Sequence, residues 1–158
     1  MIRNLIYGTT AVTAALVVSA PAAHADNSRL NNSVIANVYT IQHQAGCGTN
    51  IKRDPALTLA AQWHTDDVLN NRALDGDIGS DGSTVQDRTA AAGFKGNVTE
   101  TVAINPALAI NNLDILHQWY YDPVSFGIMS DCANTVIGVW SENSLDRSVV
   151  VAVYGQPA

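Results

Sequence analysis

The spacing of apolar residues changes along the sequence, from helical repeats in the first two thirds to strand patterns near the end. Four apolar residues at intervals of four, four and three lie on one helix face within residues 26–44: Leu30, Val34, Val38 and Ile41. Residues 135–140 and 148–154 are apolar runs separated by a polar turn, which predicts an antiparallel hairpin. Helices followed by a hairpin predict an α+β domain whose sheet is covered by helices.

Proline and glycine mark the other predicted boundaries. Asp54 and Pro55 suit the N-cap and first position of a second helix. Asn105 and Pro106 predict the start of a later helix, which Pro123 ends. The elements predicted between the first helix and the hairpin are a helix at 55–71, a glycine-rich loop at 75–87, a short helix at 85–92, a strand at 97–104 and a helix at 105–121.

Residues 1–25 have the pattern of a secretory signal peptide. Arg3 precedes the apolar stretch 11–20, and Ala23-His24-Ala25 is a small-x-small cleavage site. The alternative is a membrane anchor, but glycine, threonine and proline dilute the uncharged stretch after Arg3. Cleavage would leave one domain at 26–158, without a transmembrane anchor, and would change the net charge from −6 to −7. The sequence therefore predicts a secreted or cell-envelope protein.

The charge balance excludes two classes of partner. The chain has 8 Lys and Arg against 14 Asp and Glu, and its pI is near 4.8. Nucleic acids and anionic membrane surfaces both require clustered cations, so neither is an expected partner. With 47% hydrophobic residues, the chain has enough apolar material for a core.

Cys47 and Cys132 both lie within the predicted domain. Two cysteines in an exported chain most simply form one disulfide, here enclosing 84 residues. The alternative is a cysteine nucleophile or metal ligand. No histidine stands near either cysteine at a metal-ligand spacing.

Several short segments, taken in order, resemble the CAP superfamily (cysteine-rich secretory proteins, antigen 5 and pathogenesis-related 1 proteins). They resemble in particular the small SCP-like domains that actinobacteria export. The similar segments are residues 57–68, 79–83 with Arg88 and 92–94, 99–103, 119–123, 136–139 and 150–155. The box that reads Glu-Asn-Ile-Ala in the family has Thr101 in place of asparagine. The resemblance implies a three-layer α–β–α sandwich with a small, mainly antiparallel sheet.

The resemblance also implies a cleft that in many relatives holds two histidines and two acids, and in some a divalent metal. The matching positions here are Asp77, Glu100, Asp122 and Ser125, so Asp77 and Ser125 replace both histidines. Zinc prefers imidazole or thiolate ligands, whereas an all-oxygen set would favour Ca²⁺ or Mg²⁺ if it held a metal. We therefore expect no cofactor and no hydrolase activity. Glu100 is either a buried, hydrogen-bonded carboxylate or an acid that contacts a ligand.

Three further features have structural interpretations. Residues 75–81 resemble a calcium loop, but Ser80 and Gln86 occupy the positions that need glycine and glutamate, which favours a solvated turn. His64 and His117 lie on apolar helix faces and are predicted to be hydrogen-bonded core histidines. Arg88 is predicted to hold the glycine-rich loop through carbonyls, Asp81 or Asp87.

These observations favour a non-catalytic exported domain. Its expected partner is a lipid or sterol-like molecule, a cell-envelope component or a protein. The alternatives are a divalent-metal-dependent hydrolase with a degenerate site and a structural envelope antigen.

Overall fold

The computed structural model describes residues 27–158, so the predicted signal peptide lies outside the described residues. The elements in chain order are α1 (Ser28–Gln44), β1 (Lys52–Arg53), α2 (Pro55–Asn70), α3 (Val85–Ala91), β2 (Gly96–Asn105), α4 (Asn112–Tyr120), α5 (Pro123–Ser130), β3 (Val136–Asn143) and β4 (Ser148–Pro157). The sheet order is β1-β3-β4-β2, with β1 parallel to β3 and the other pairs antiparallel. The predicted α+β class and C-terminal hairpin are confirmed.

Strand β4 is the central element of the sheet. It pairs along its whole length with β2, from Asn105 opposite Ser148 to Gly96 opposite Pro157. On its other side it pairs with β3. Its side chains are buried on both faces of the sheet, so the helices above and below pack on the same strand.

The alternation of side chains along the strands divides the core into two layers. One layer lies under α1, α4 and α5 and includes Val38, Ile115, Trp119, Met129, Ile137, Val150 and Tyr154. The other lies under α2 and α3 and includes Leu57, Ala61, Val68, Phe94, Val149, Val151 and Val153. The domain is therefore a helix–sheet–helix arrangement, in agreement with the sequence prediction.

Helix α2 lies directly against strand β3. A Cβ placed on Gly138 would collide with the main chain of Leu57 and Thr58. Glycine at this position lets the helix backbone approach the sheet, and this approach fixes which residues of α2 face the strands.

The helix predicted to begin at Asn105 in fact begins at Asn112. The earlier prediction is wrong because β2 continues to Asn105, which pairs with Ser148. The N-cap is Asn111, whose Oδ1 accepts from the backbone N–H groups of Leu113 and Asp114 at 2.9 and 3.0 Å. The Asp114 side chain completes a capping box.

Two elements were missing from the sequence prediction. Pro123 does not only end a helix, since it opens α5 with Asp122 as its N-cap. The dipeptide Lys52–Arg53 forms the short strand β1 beside β3. A two-residue strand is too short to show any periodicity in the sequence.

Side chains from two helices cover the outer edge of β2. Trp119 Nε1 donates to the Val102 carbonyl at 3.1 Å. Gln118 donates to the Ile104 carbonyl at 3.0 Å and accepts from the Ile104 N–H at 3.2 Å. At the other end, Gln86 Nε2 donates to the Gly96 carbonyl at 3.2 Å. These bonds occupy main-chain groups that point away from β4.

The predicted disulfide between Cys47 and Cys132 is confirmed, with the two Cα atoms 5.1 Å apart. It ties the segment after α1 to the segment after α5. Within residues 27–158, no helix combines the length and apolar character needed to cross a membrane.

The disulfide predicts a large effect of reduction on stability. Closing a loop of this length stabilises a fold by about 4–5 kcal/mol in the chain-entropy description. We expect reduction, or the double variant Cys47→Ser/Cys132→Ser, to lower the free energy of unfolding by an amount of this order in urea titrations. Dithiothreitol should not affect the double variant. An unchanged urea midpoint after complete reduction would contradict this account.

Candidate functional site

Two side chains from the helices hold the glycine-rich loop between α2 and α3. His64 Nε2, on α2, bonds the Gly76 carbonyl at 2.8 Å. Arg88, on α3, donates to the carbonyls of Asp77 and Ser83, both at 2.8 Å. Since a carbonyl only accepts, Nε2 of His64 carries the proton, and Nδ1 has the free lone pair of a neutral ring.

Glu100 meets the same two side chains from the sheet. Its Oε1 lies 3.0 Å from Nη2 of Arg88 and 3.5 Å from Nε2 of His64. The Glu100 side chain is 1% exposed because its position in β2 points toward α2. His64, Arg88 and Glu100 therefore form one buried cluster that links α2, α3, the loop and the sheet.

Burial shifts the proton equilibria of this cluster. It raises the pKa of Glu100 to about 8, although the adjacent Arg88 guanidinium opposes the shift. It also lowers the pKa of His64, against the hydrogen bond to Gly76. A buried imidazole and a buried carboxyl both favour their neutral forms in this environment.

Each member of the buried cluster has one polar atom without a hydrogen-bond partner. These atoms are Nδ1 of His64, Oε2 of Glu100 and Nε of Arg88. An unsatisfied buried donor or acceptor typically costs about 1–3 kcal/mol. The three atoms therefore reduce the net stabilisation that the cluster provides.

The four positions predicted from the resemblance fall into two contact groups. Asp77 and Glu100 both contact Arg88, Asp77 through its main-chain carbonyl. Asp122 and Ser125 contact each other at the start of α5, where Asp122 Oδ2 accepts from the Ser125 N–H at 2.8 Å and hydroxyl at 2.7 Å. Their role in binding a ligand remains a prediction.

The arrangement around Glu100 does not fit a divalent metal. A guanidinium already occupies the position beside its carboxylate and would repel a second cation. Within residues 27–158, no three His, Cys, Asp or Glu side chains come together as metal ligands. We therefore derive no chemistry through a metal at this site.

Sequence reasoning identified the three residues of the buried cluster but not the contacts among them. His64 is fully buried and hydrogen-bonded to the loop, as expected of a core histidine. Arg88 uses loop carbonyls, as expected, but the acidic side chain that it contacts is Glu100 rather than Asp81 or Asp87. Which residue of α2 faces Glu100 depends on how closely the helix packs at Gly138, and no sequence pattern encodes that distance.

His117 differs from its predicted role in the core. It is exposed and lines an open groove between α1 and α4, with its ring 5.3 Å from that of Tyr121. The groove has a volume of about 310 Å³. Its other lining residues are Asn37, Thr40, Ile41, Leu113, Leu116, Tyr120 and Tyr121.

The rim of this α1–α4 groove exposes large apolar side chains. Leu113 and Tyr121, which both line the groove, are each 74% exposed. Tyr120 contacts Phe126 and Tyr121 edge-on. Contiguous exposed apolar surface is a feature of binding sites.

No protein-family model matches the sequence, and no curated protein matches it closely enough to be a relative. Solved structures do resemble the fold. An outer surface protein from Borrelia burgdorferi is 14% identical over 85% of this chain and 98% of that protein, with a TM-score of 0.75.

Two further solved structures with a similar fold are described as a cysteine-rich secretory protein and as an SCP-domain protein. An extracellular SCP-domain protein from Bacillus anthracis is 13% identical, with a TM-score of 0.66, over 82% of this chain and 41% of that one. A cysteine-rich secretory protein from Staphylococcus aureus is 9% identical, with a TM-score of 0.60, over 84% of this chain and 40% of that one. This chain thus spans about 40% of the length of those two proteins. The comparisons show that it has the fold of SCP/CAP domains.

The buried cluster predicts that the free energy of unfolding falls as pH rises from 6.5 to about 8. The unfolded chain releases the Glu100 proton near the ordinary pKa of 4.5, whereas the folded chain keeps this proton up to a pH of about 8. Between these two values the folded state binds one more proton, so its stability falls as pH rises. His64 acts in the opposite direction, but only below its ordinary pKa of 6.5. Between pH 6.5 and 8 we expect the free energy of unfolding to fall by up to about 1.4 kcal/mol per pH unit.

Urea titrations at several pH values would measure this decrease. The variant Glu100→Gln should show a flatter profile above pH 6.5, whereas Asp75→Asn, at an exposed loop position, should follow the native protein. A native profile that rises or stays level from pH 6.5 to 8 would overturn the assignment.

Removing the guanidinium should be strongly destabilising. Arg88→Met leaves the buried Glu100 carboxyl and two loop carbonyls without their donor, and each unsatisfied buried group typically costs about 1–3 kcal/mol. We expect Arg88→Met/Glu100→Gln to be less destabilised than the sum of the two single variants in a thermodynamic cycle. Additive effects would mean that the two side chains do not interact energetically.

Proposed function

We propose that this chain is an exported CAP-like domain that binds a lipid-like apolar molecule and is not a hydrolase. The observation that carries the proposal is the α1–α4 groove. Its volume of about 310 Å³ is near the lower end of the range for small-molecule sites, roughly 300–1,000 Å³. That size suits one acyl chain or a compact ring system.

The composition of the groove supports an amphipathic ligand. Leu113, Leu116 and Tyr121 provide apolar contact, while Asn37, Thr40 and His117 supply a few polar groups. Sites for small molecules typically combine apolar walls with a small number of polar groups that fix orientation. A lipid or sterol-like molecule matches this pattern better than a fully polar substrate does.

Export is supported by two independent features. Cys47 and Cys132 form a disulfide, and disulfides persist in oxidising compartments. The similar solved structures include an outer surface protein and an extracellular SCP-domain protein. Together with the signal-peptide pattern at residues 1–25, they favour a secreted or envelope-associated protein.

The proposed lack of hydrolase activity rests on the arrangement at Glu100. A general base must reach a substrate proton, but Glu100 is buried beneath the glycine-rich loop and paired with Arg88. No observation specifically favours the alternative of a metal-dependent hydrolase.

A fluorescent C16 fatty acid, displaced by unlabelled hexadecanoic acid or cholesterol, tests the proposal. We expect saturable binding by the purified protein that Leu113→Ser and Tyr121→Ser each weaken by about tenfold. Both positions are largely exposed, so neither variant should lose its fold.

Leu145→Ser provides the matched control, since Leu145 is 88% exposed in the β3–β4 turn and does not line the groove. Its affinity for the probe should equal that of the native protein. Failure of the probe to bind, or equal loss of binding in all three variants, would refute a lipid site in the α1–α4 groove.

A further inference from the structure

The glycine-rich loop contains two Asp-Gly pairs, Asp75-Gly76 and Asp81-Gly82, and both are exposed. An aspartyl side chain that precedes glycine can react with the main chain, because glycine has no Cβ to obstruct attack by its nitrogen. The two pairs share one loop and the same solvent, yet the fold holds the reacting atoms of only one of them. These different contacts therefore decide which pair reacts.

The reacting atoms of the first pair, Asp75-Gly76, are not held by the fold. Among residues 27–158, neither the Asp75 carboxylate nor the Gly76 N–H has a hydrogen-bond partner. The space beside Gly76 is also open, since a Cβ placed there would meet no atom beyond its chain neighbours within 4 Å. The main chain at this pair is therefore free to rotate until the glycine nitrogen faces the side-chain carbon of Asp75.

The second pair, Asp81-Gly82, is held at both reacting groups. Oδ1 of Asp81 accepts from the Ser83 N–H at 2.9 Å, and the Gly82 N–H donates to the Gly79 carbonyl at 2.9 Å. The hydrogen bonds from Ser83 also lower the pKa of Asp81, which depletes the uncharged carboxyl form that reacts. Both contacts have to break before this pair can cyclise, so the fold protects it.

We propose that Asp75-Gly76 is a site of spontaneous isoaspartate formation and that Asp81-Gly82 is not. The Gly76 nitrogen bonds to Cγ of Asp75, the carboxyl hydroxyl leaves with the amide hydrogen as one water molecule, and a succinimide ring results. Water then adds to one of the two ring carbonyls and breaks the bond from that carbonyl to nitrogen. Opening at the side-chain carbonyl restores aspartate, whereas opening at the main-chain carbonyl gives isoaspartate. Since one water leaves and one returns, the reaction needs no oxidant, reductant or other reactant.

The modified residue lies between two anchored carbonyls of the loop. Nη2 of Arg147 donates to the Leu74 carbonyl at 2.7 Å, and Nε2 of His64 donates to the Gly76 carbonyl at 2.8 Å. In isoaspartate the main chain runs through the side chain, which adds one methylene group between these anchors. The longer segment displaces at least one of the two carbonyls, so the attachment of the loop weakens as the molecule ages.

Peptide mapping of the purified protein, aged for several weeks at body temperature and mildly acidic pH, tests the proposal. Residues 73–88 form one tryptic peptide that contains both pairs, and electron-transfer fragmentation locates isoaspartate within it. We expect isoaspartate at residue 75 to exceed that at residue 81 by about tenfold, because hydrogen bonds oppose cyclisation only at the latter. In the urea-unfolded chain, both pairs should react at similar rates, since those hydrogen bonds are then absent.

Asp75→Glu keeps the charge but would have to close a larger ring, so it should not form the isomer at this position. Asp81→Glu is the matched control, because it makes the same change at the protected pair and should leave the reaction at Asp75 unchanged. Aged native protein should have a lower urea midpoint than fresh protein, and aged Asp75→Glu should show no such decrease.

Two results would overturn the proposed site: absence of isoaspartate at residue 75, or equal amounts at the two pairs in the folded protein. The proposed effect on the loop has its own test. If chromatographically separated protein with isoaspartate at residue 75 has the same urea midpoint as fresh protein, the loop attachment does not depend on this residue. Lipid binding in the α1–α4 groove is measured separately and does not depend on either result.

Discussion

Burial of β4 on both faces is the constraint on which the rest of the structure depends. Val149, Val151 and Val153 pack under α2 and α3, while Val150, Ala152 and Tyr154 pack under the other helical layer. No charged side chain occurs on this strand. Charged side chains are therefore excluded from the central strand and lie on its neighbours, the helices and the loops. The buried cluster joins the edge strand β2 to α2 and α3, and the α1–α4 groove lies on the opposite helical layer.

Arg88 connects two different environments. It contacts Glu100 beneath the glycine-rich loop, and it also lines an open cavity between α2, this loop and α3 together with Trp63 and Asp67. Its hydrogen bonds to Asp77 and Ser83 hold the loop that separates these environments. The position of this loop thus depends on a guanidinium whose other partner, the Glu100 carboxyl, is buried. Because His64 also bonds this loop, α2 and α3 position it jointly.

The parts of the fold that local patterns describe were predictable from the sequence. The repeat in α1, the Asp54 cap of α2 and the hairpin at the end all follow from neighbouring residues. The start of α4 was not predictable, because Asn105 remains in β2 through its pairing with Ser148, which is a long-range contact. Resemblance to relatives identified Glu100 as a site residue, but its partners depend on helix packing. The α1–α4 groove was missed because the same apolar residues are needed for any amphipathic helix.

The covered edge of β2 has a consequence for how this protein behaves at high concentration. An uncovered ten-residue edge would be a template for adding a strand from another copy, which is a common route to fibrils. Here Gln86 blocks one end, and Gln118 with Trp119 blocks the other. The stretch between them, residues 97–101, is short. An incoming chain would have to displace the side chains at both ends to pair along the whole strand. Self-association at this edge is thus opposed by three side chains that contribute to the fold for other reasons.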